Sequence, residues 1–458
     1  MRKVYVLAGL TVALVIAAIA AGFGLSTGWA VKSLASVVQQ RLGRSLEVKG
    51  GTGLEFSPGL AIRLETVTLG PVDGFDGPFI TAEELRIPMS IGDLLHHRLP
   101  ENFILTKPLV SLEVNTMGKV SWAGATGDQQ AATFHIEDGT IRFYDQRNSQ
   151  SLEMSEAGLG ATVTPAGEFN LEGAATLGGR LTTIEAYVKD VGRTATGGSP
   201  VDLTLGNALL KVSLNGRLST RDALNLAGSA EISGDSLKEV AKWFGAPFNS
   251  VKGFGPFTAS GTLETSGPSL TLRDAAVSLD DLQARGDIGI TANRIAPEFF
   301  AKLALPRLDL NAYADYPSLT ADDWGTGTLS FDGLRGFNGR VSLVTDQLAF
   351  GPATVDGAGI EASLADGRLA AVINGNSLAG GKARIDLELD GTSAAPLFSA
   401  RLISENAEAG KLLAAFTGQG WIAGKASADV SLSGYGTSVQ AIVSTLKGAA
   451  TFKVADGS

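Results

Sequence analysis

From about Glu47 onward, apolar residues recur at every second position in short segments closed by glycine. Val201, Leu203 and Leu205 alternate with Asp202 and Thr204. Leu210, Val212 and Leu214 alternate with Lys211 and Ser213. Ala383, Ile385, Leu387 and Leu389 alternate with Arg384, Asp386 and Glu388, and Ala428, Val430 and Leu432 repeat the pattern. A period of two places one apolar row on one face of a strand, where a helix would need a period of 3.6. Asp138-Gly139, Asn215-Gly216, Asp332-Gly333, Asp356-Gly357, Asp366-Gly367 and Asp390-Gly391 read as hairpin turns, because type I′ turns need positive φ. Glycine is abundant, 58 of 458 residues, as such turns require. No βαβ rhythm interrupts the pattern, so the reading is mainly β: a long antiparallel meander, apolar on one face.

Three short helices are expected within it. Asp235 or Ser236 caps one at Leu237, Val240, Ala241 and Phe244; a second runs over 407–416; a third covers 92–97 and stops before Pro100.

Such a face needs a cover. About twenty strands at about 4.8 Å each would extend on the order of 100 Å. A second sheet, closure, or a non-protein occupant must shield it. Charged residues are only 18% of the chain and mean hydropathy is +0.16, which does not fit disorder, and a polytopic membrane protein is excluded because only one stretch is long and apolar enough to span. A net charge of -10 argues against a nucleic-acid partner.

The one stretch long enough to cross a bilayer is residues 4–25, following Arg2 and Lys3. A cleaved signal peptide is the other reading, with Ala18-Ile19-Ala20 as its site, but the apolar stretch exceeds an ordinary signal core. The positive-inside rule puts Arg2 and Lys3 in the cytoplasm and the rest outside it, in a Gram-negative envelope the periplasm. Val31, Leu34, Val37, Val38 and Leu42 then form the stripe of an amphipathic linker helix ended by Gly43.

Chemistry is sparse. Without cysteine there is no disulfide, thiolate nucleophile or thiolate metal site. Histidine occurs only at His96, His97 and His135; adjacent helical residues diverge, and His135 falls on the polar phase of its strand. Gly24-Leu25-Ser26-Thr27-Gly28 matches a nucleophile-elbow pattern but closes the membrane span. Gly424-Lys425 lacks the first glycine of a P-loop, since Gln419 stands there, and the hydroxyl after its lysine, since Ala426 does. Asp280-Asp281 and Asp322-Asp323 sit at expected turns. No catalytic, cofactor or metal residues are assigned, and the chain reads as a non-enzyme.

Several segments together resemble the AsmA family of envelope proteins, with its TamB-like and YhdP-like members. Gly43 to Val48, after the span, is similar to the family's opening. So are Phe79 to Ile87 leading to Leu94-Leu95, and Pro108-Leu109-Val110-Ser111-Leu112 followed by Gly118-Lys119-Val120-Ser121-Trp122, with Ser121 where asparagine is usual. Leu279-Asp280 to Gly286 and Leu308 to Tyr313 resemble its middle region. Gly420 to Gly424, Ser433-Gly434 and Leu446 to Gly457 resemble its C-terminal module, in which the family pattern runs on past Ser458.

The resemblance implies a sheet curved into a taco-like groove with an apolar interior. It also implies an inner-membrane, single-pass protein with its bulk in the periplasm, serving outer-membrane biogenesis by carrying or bridging phospholipid. The alternative is an assembly or chaperone factor for outer-membrane β-barrel proteins without lipid transport. Partners are then phospholipid, the inner membrane through residues 4–25, and outer-membrane or envelope proteins. The chain divides into an N-terminal tip and anchor (1–30), the linker helix (31–45), β regions at 46–125, 126–250 and 251–400, and a C-terminal module at 401–458. The alternating sets Val201, Leu203, Leu205 and Ile385, Leu387, Leu389 are the expected groove lining.

Overall fold

A computed structural model describes residues 43–55, 59–90, 101–122, 131–147, 150–194, 196–219, 225–244, 252–292, 296–313, 332–336, 338–417 and 420–455, with Ala35, Val38, Gln39 and Asp93. The described chain is mainly β, as the alternation predicts. It divides into two units: residues 1–232 with 263–268, and residues 233–262 with 269–458. Among the described residues no helix is long and apolar enough to cross a membrane. The predicted span at 4–25 and all but Asp93 of the helix expected at 92–97 lie outside them. So does most of the linker helix, of which Ala35, Val38 and Gln39 are described and helical, with Val38 buried.

In the first unit, β1 (Leu46–Val48) and β2 (Thr52–Glu55) lie end to end along β3 (Ala61–Leu69). β3 pairs with β4 (Ile80–Pro88). The next place is shared by β5 (Asn102–Thr106) and β6 (Leu109–Val114), separated by Lys107 at φ 45° and by Pro108, which has no N–H to give a ladder. Both run parallel to β7 (Ala132–Asp145). β8 (Gln150–Val163), β9 (Phe169–Leu177), β10 (Arg180–Val188), β11 (Ser199–Gly206) and β12 (Lys211–Ser219) then follow antiparallel, with β13 (Asn225–Gly234) after them. The short helix α1 (Val191–Thr194) joins β10 to β11. One face of these strands is a closed core. Phe103 and Phe134 are register partners and stack with centroids 5.1 Å apart. Ala161, Leu171, Ala186, Leu203 and Leu214 form a buried row across β8–β12.

β14 (Phe257–Ser266) carries the chain between the two sets of residues. In the second unit, α2 (Leu237–Trp243) begins where predicted: Ser236 Oγ accepts the Glu239 N–H at 3.2 Å. β15 (Ser269–Leu279), β16 (Leu282–Thr291) and β17 (Glu298–Asp309) are antiparallel neighbours. β18 (Asn338–Phe350) runs parallel to β17. β19 (Ala353–Ala365), β20 (Arg368–Leu378), β21 (Gly381–Asp390), β22 (Leu397–Glu408), β23 (Lys425–Tyr435) and β24 (Lys447–Ala455) complete an antiparallel series. Helix α3 (Ala409–Thr417) falls close to the predicted 407–416, and α4 (Val439–Ser444), capped by Ser438, was not foreseen.

Two expectations are corrected. The pairing is mixed rather than wholly antiparallel, because β5, β6 and β17 each meet a parallel neighbour. Parallel neighbours need crossover connections, which period-two patterning does not reveal. Nor do most Asp-Gly and Asn-Gly pairs make hairpins. Asp366-Gly367 does, joining β19 to β20 with φ of 49° and 82°. Asp138-Gly139, Asn215-Gly216 and Asp356-Gly357 lie inside β7, β12 and β19. There the positive φ of Asp138 accompanies an irregularity of register, Gly357 takes φ 59° within an unbroken register, and Gly216 allows the close approach of Ala227.

Candidate apolar binding face

The second unit carries a continuous apolar surface whose rows can be read from the strand register. Across β18 to β23, residues in register share a face. The first row is Thr345, Ala358, Gly375, Ala383, Ser404 and Ala428. The second is Leu343, Ile360, Ile373, Ile385, Leu402 and Val430. The third is Val341, Ala362, Ala371, Leu387, Ala400 and Leu432. The fourth brings Leu364, Leu369, Leu389 and Phe398 between Gly339 and Gly434.

Burial falls along these rows. The whole first row is buried; the third is half-buried up to Leu432, which is 38% exposed. Helix α3 supplies part of the cover. It lies against β19, β22 and β23, and its Ala409 and Leu412 join one buried cluster with Ala358, Ala383, Ala407, Ala426 and Ala428. Small side chains beneath α3 make room for a helix. Away from α3, Ile and Leu take over: Ile360, Ile373 and Leu364 are still buried, while Ile385, Leu402, Leu369 and Leu389 are half-buried. Ser404 Oγ is the polar intruder in this seat, buried without a hydrogen-bond partner.

The other face of the same strands is polar. Arg401 Nη2 meets Asp429 at 2.8 Å, Arg384 Nη2 meets Asp386 at 2.7 Å, Arg340 meets Glu298 at 2.9 Å, and Arg368 meets Asp390 at 3.1 Å. The hydrogen bond from Arg401 holds the Asp429 carboxyl below its usual range. These exposed pairs add little stability singly and make this face a wetted one.

The six residues proposed from sequence fall into two classes. Val201 and Leu203 are each 1% exposed and Leu205 8%, buried in the closed core of the first unit. With so little surface open they have none to offer a ligand in this conformation. Ile385, Leu387 and Leu389 lie on the half-buried face of the second unit, in the second, third and fourth rows. The sequence treats both sets alike, because alternation reports which face a side chain takes and not what covers it.

A buried polar cluster in the first unit was not anticipated. Arg44 Nη1 donates to Gly70 O at 2.9 Å and Nη2 donates to Ser121 O. Its guanidinium also sits over the Phe79 ring, and burial lowers its pKa to about 10. Trp122, next to Ser121, is buried with Nε1 unpartnered, 6.5 Å from the Phe143 ring. The contacts unite three stretches singled out by sequence, at 43–48, 79–87 and 118–122. They serve as a structural joint, since Arg44 is 4% exposed.

His135 is exposed on β7, as its phase predicts. Asp280 sits at the β15–β16 turn and accepts the Phe254 and Gly255 N–H groups at 2.9 Å each, which is a structural use of a carboxylate. Among the described residues no group of three or more histidines and carboxylates is placed to hold a metal. Compared with protein-family models, curated proteins and solved structures, the chain has no match in any of the three.

Proposed function

We propose that the protein is an inner-membrane-anchored periplasmic component of envelope biogenesis that carries or bridges phospholipid, with acyl chains on the apolar face of the second unit and no catalytic step. The observation that carries this reading is the half-buried third row of β18–β22 with the half-buried Leu369, Leu389 and Phe398 beside it: an apolar surface backed by a polar face. Contiguous exposed apolar surface marks interaction sites on soluble domains. Each buried methylene contributes about 0.8 kcal/mol, so a linear hydrocarbon is a fitting occupant. In this reading the sheet curls into a groove, headgroups stay in water at its seam, and residues 4–25 hold one end at the donor bilayer. The sequence resemblance to AsmA-type proteins supports the same assignment.

Native mass spectrometry of the purified full chain tests it. Co-purifying phospholipid, lost in Leu387→Asp, is the expected result; a lipid-free chain from an envelope extract would overturn the reading.

A second reading has its own observation. All nine residues of β24 are exposed, and it pairs only with β23 among the described strands. Such an edge accepts an added strand, which suits an assembly factor for outer-membrane β-barrels. Recovery of barrel precursors without lipid would favour it.

A further inference from the structure

Strand β24 has one side that no described strand covers. Its nine residues are all exposed, and among the described strands it pairs with β23 alone. Phe452 is 63% exposed and Val454 50%, although they stand in register with the buried Ala428 and Ala426. On this face β24 carries Gly448, Ala450, Phe452 and Val454; on the other it carries Lys447, Ala449, Thr451, Lys453 and Ala455. The order matters: on the apolar side, small residues occupy one half of the strand and large ones the other. Lys447 and Lys453 are the strand's only charges. Neither faces a carboxylate on β23, where Ser433 and Ser427 stand opposite them.

We infer that this edge pairs with the same edge of a second copy of the chain, antiparallel about a two-fold axis at Thr451. In an antiparallel pair, residues directly opposite share a face. About Thr451, Phe452 meets Ala450 of the copy, Val454 meets its Gly448, Lys447 meets its Ala455 and Lys453 meets its Ala449. Each large side chain thus faces a small one, and all nine residues find a partner. A two-fold axis normal to the sheet makes the contact self-complementary and keeps both apolar faces on one side. The neighbouring registers lack this fit. About Ala450, Lys447 would face Lys453 of the copy; about Phe452, Lys447 and Gly448 would be left without partners. Lysines on an edge discourage indiscriminate pairing, and here they also select the register. The open N–H and C=O groups along about 31 Å of strand supply the attraction. The contact is one strand wide, so the dimer is weak and concentration-dependent. It needs no lipid, and it stands or falls apart from lipid carriage.

Since the chain has no cysteine, a single introduced thiol reports the register. The test uses the full chain in detergent micelles. Thr451→Cys places two thiols across the axis with Cα atoms about 4.5–5.5 Å apart, inside the disulfide range of about 4.4–6.8 Å. Ala449→Cys holds its two thiols about 14 Å apart along the strands. Mild oxidation should link Thr451→Cys into a dimer at least about tenfold faster than Ala449→Cys. Sedimentation of the unaltered chain should show a monomer–dimer equilibrium. Thr451→Lys sets like charges directly opposite at the axis and should weaken the dimer at least about tenfold. The fold should accept it, because Asp429 is its neighbour on β23. Thermal melts of the reduced variants check folding, and sedimentation of the unaltered chain decides if any variant melts early. Equal cross-linking of the two cysteine variants would overturn the register. A chain that sediments as a monomer at every concentration would overturn the pairing. If such a monomer bound a strand peptide from an outer-membrane barrel, the edge would belong to the assembly reading; if it carried phospholipid, lipid carriage would stand without the dimer.

Discussion

The guanidinium of Arg44 lies 4.0 Å from the centroid of the Phe79 ring, a cation held on an aromatic face inside a β-rich core. No carboxylate of the described residues pairs with it; the Gly70 and Ser121 carbonyls accept its protons instead. Each contact ties the start of β1 to a different stretch of chain, so one side chain fixes three backbone segments. Burial lowers its pKa, yet at about 10 it stays charged through the physiological range.

Replacing Arg44 should therefore cost more than a surface arginine would. Arg44→Met leaves two carbonyls without their donors and removes the ring contact, a loss of roughly 2–4 kcal/mol. Arg44→Lys keeps the charge but not the planar fork, and should recover only part of it. Denaturant midpoints of the three proteins provide the measurement. A shift worth less than about 0.5 kcal/mol for Arg44→Met, an ordinary surface effect, would remove the joint from the account.

Much of this was legible in the residues themselves, and what was not has a common cause. Alternation placed Leu203 and Leu387 on apolar faces correctly, because the pleat enforces a period of two. It was silent on cover, which is why Leu203 at 1% exposure and the half-buried Leu387 looked equivalent. Ser236 marks α2 through local capping chemistry. The seat of α3 is not visible in the sequence, since small residues at Ala407, Ala426 and Ala428 acquire meaning only once a helix packs in the same cluster. Arg44 has no local signature, because its partners at Gly70 and Ser121 are 26 and 77 residues away.

Glycine substitutions should separate positions that need glycine from those that merely contain it. At Gly216 an added Cβ would collide with the Ala227 carbonyl on the neighbouring strand. Gly216→Ala should thus be destabilising by roughly 1–3 kcal/mol through backbone displacement. At Gly359, within β19, a Cβ meets nothing within 4 Å. Gly359→Ala should be neutral or stabilising by up to about 1 kcal/mol, because it reduces the freedom of the unfolded chain. Thermal melts of the pair check the contrast, and equal effects would contradict the strand packing around Gly216.

Acid should loosen the start of α3 before it unfolds the chain. Lys411 Nζ lies 2.7 Å from Glu408 Oε2, and this hydrogen bond holds the Glu408 carboxyl below its usual range. A carboxylate with a depressed folded-state pKa contributes stability that is fully present above its unfolded value, about 4.3, and is lost as pH falls through the folded value. Nothing should change between pH 7 and 5. Below about pH 4, amide exchange in the first turn of α3 should quicken once intrinsic rates are allowed for. Glu408→Gln should show the faster exchange at neutral pH and no further acid response from this pair. An unaltered acid response in that variant would assign the effect to another carboxylate.

Aspartate placed at Leu203 and at Leu387 should have opposite consequences, although the two leucines occupy the same phase of the same pattern. Leu203 lies in a row with Leu171, Ala186 and Leu214, and an unpaired charge there must either be desolvated or break the core. Leu203→Asp should cost more than about 4 kcal/mol and abolish accumulation of the folded chain. Leu387 retains partial access to water, so an aspartate can turn outward and keep its hydration. Its replacement loses only part of a leucine's burial, about 1–2 kcal/mol, and should leave the melt close to normal. What it should remove is co-purifying phospholipid, since the charge sits in the half-buried third row between Ala371 and Ala400. A folded Leu387→Asp protein that still binds lipid would place the hydrocarbon elsewhere; an unfolded one would mean that this face is as closed as that around Leu203.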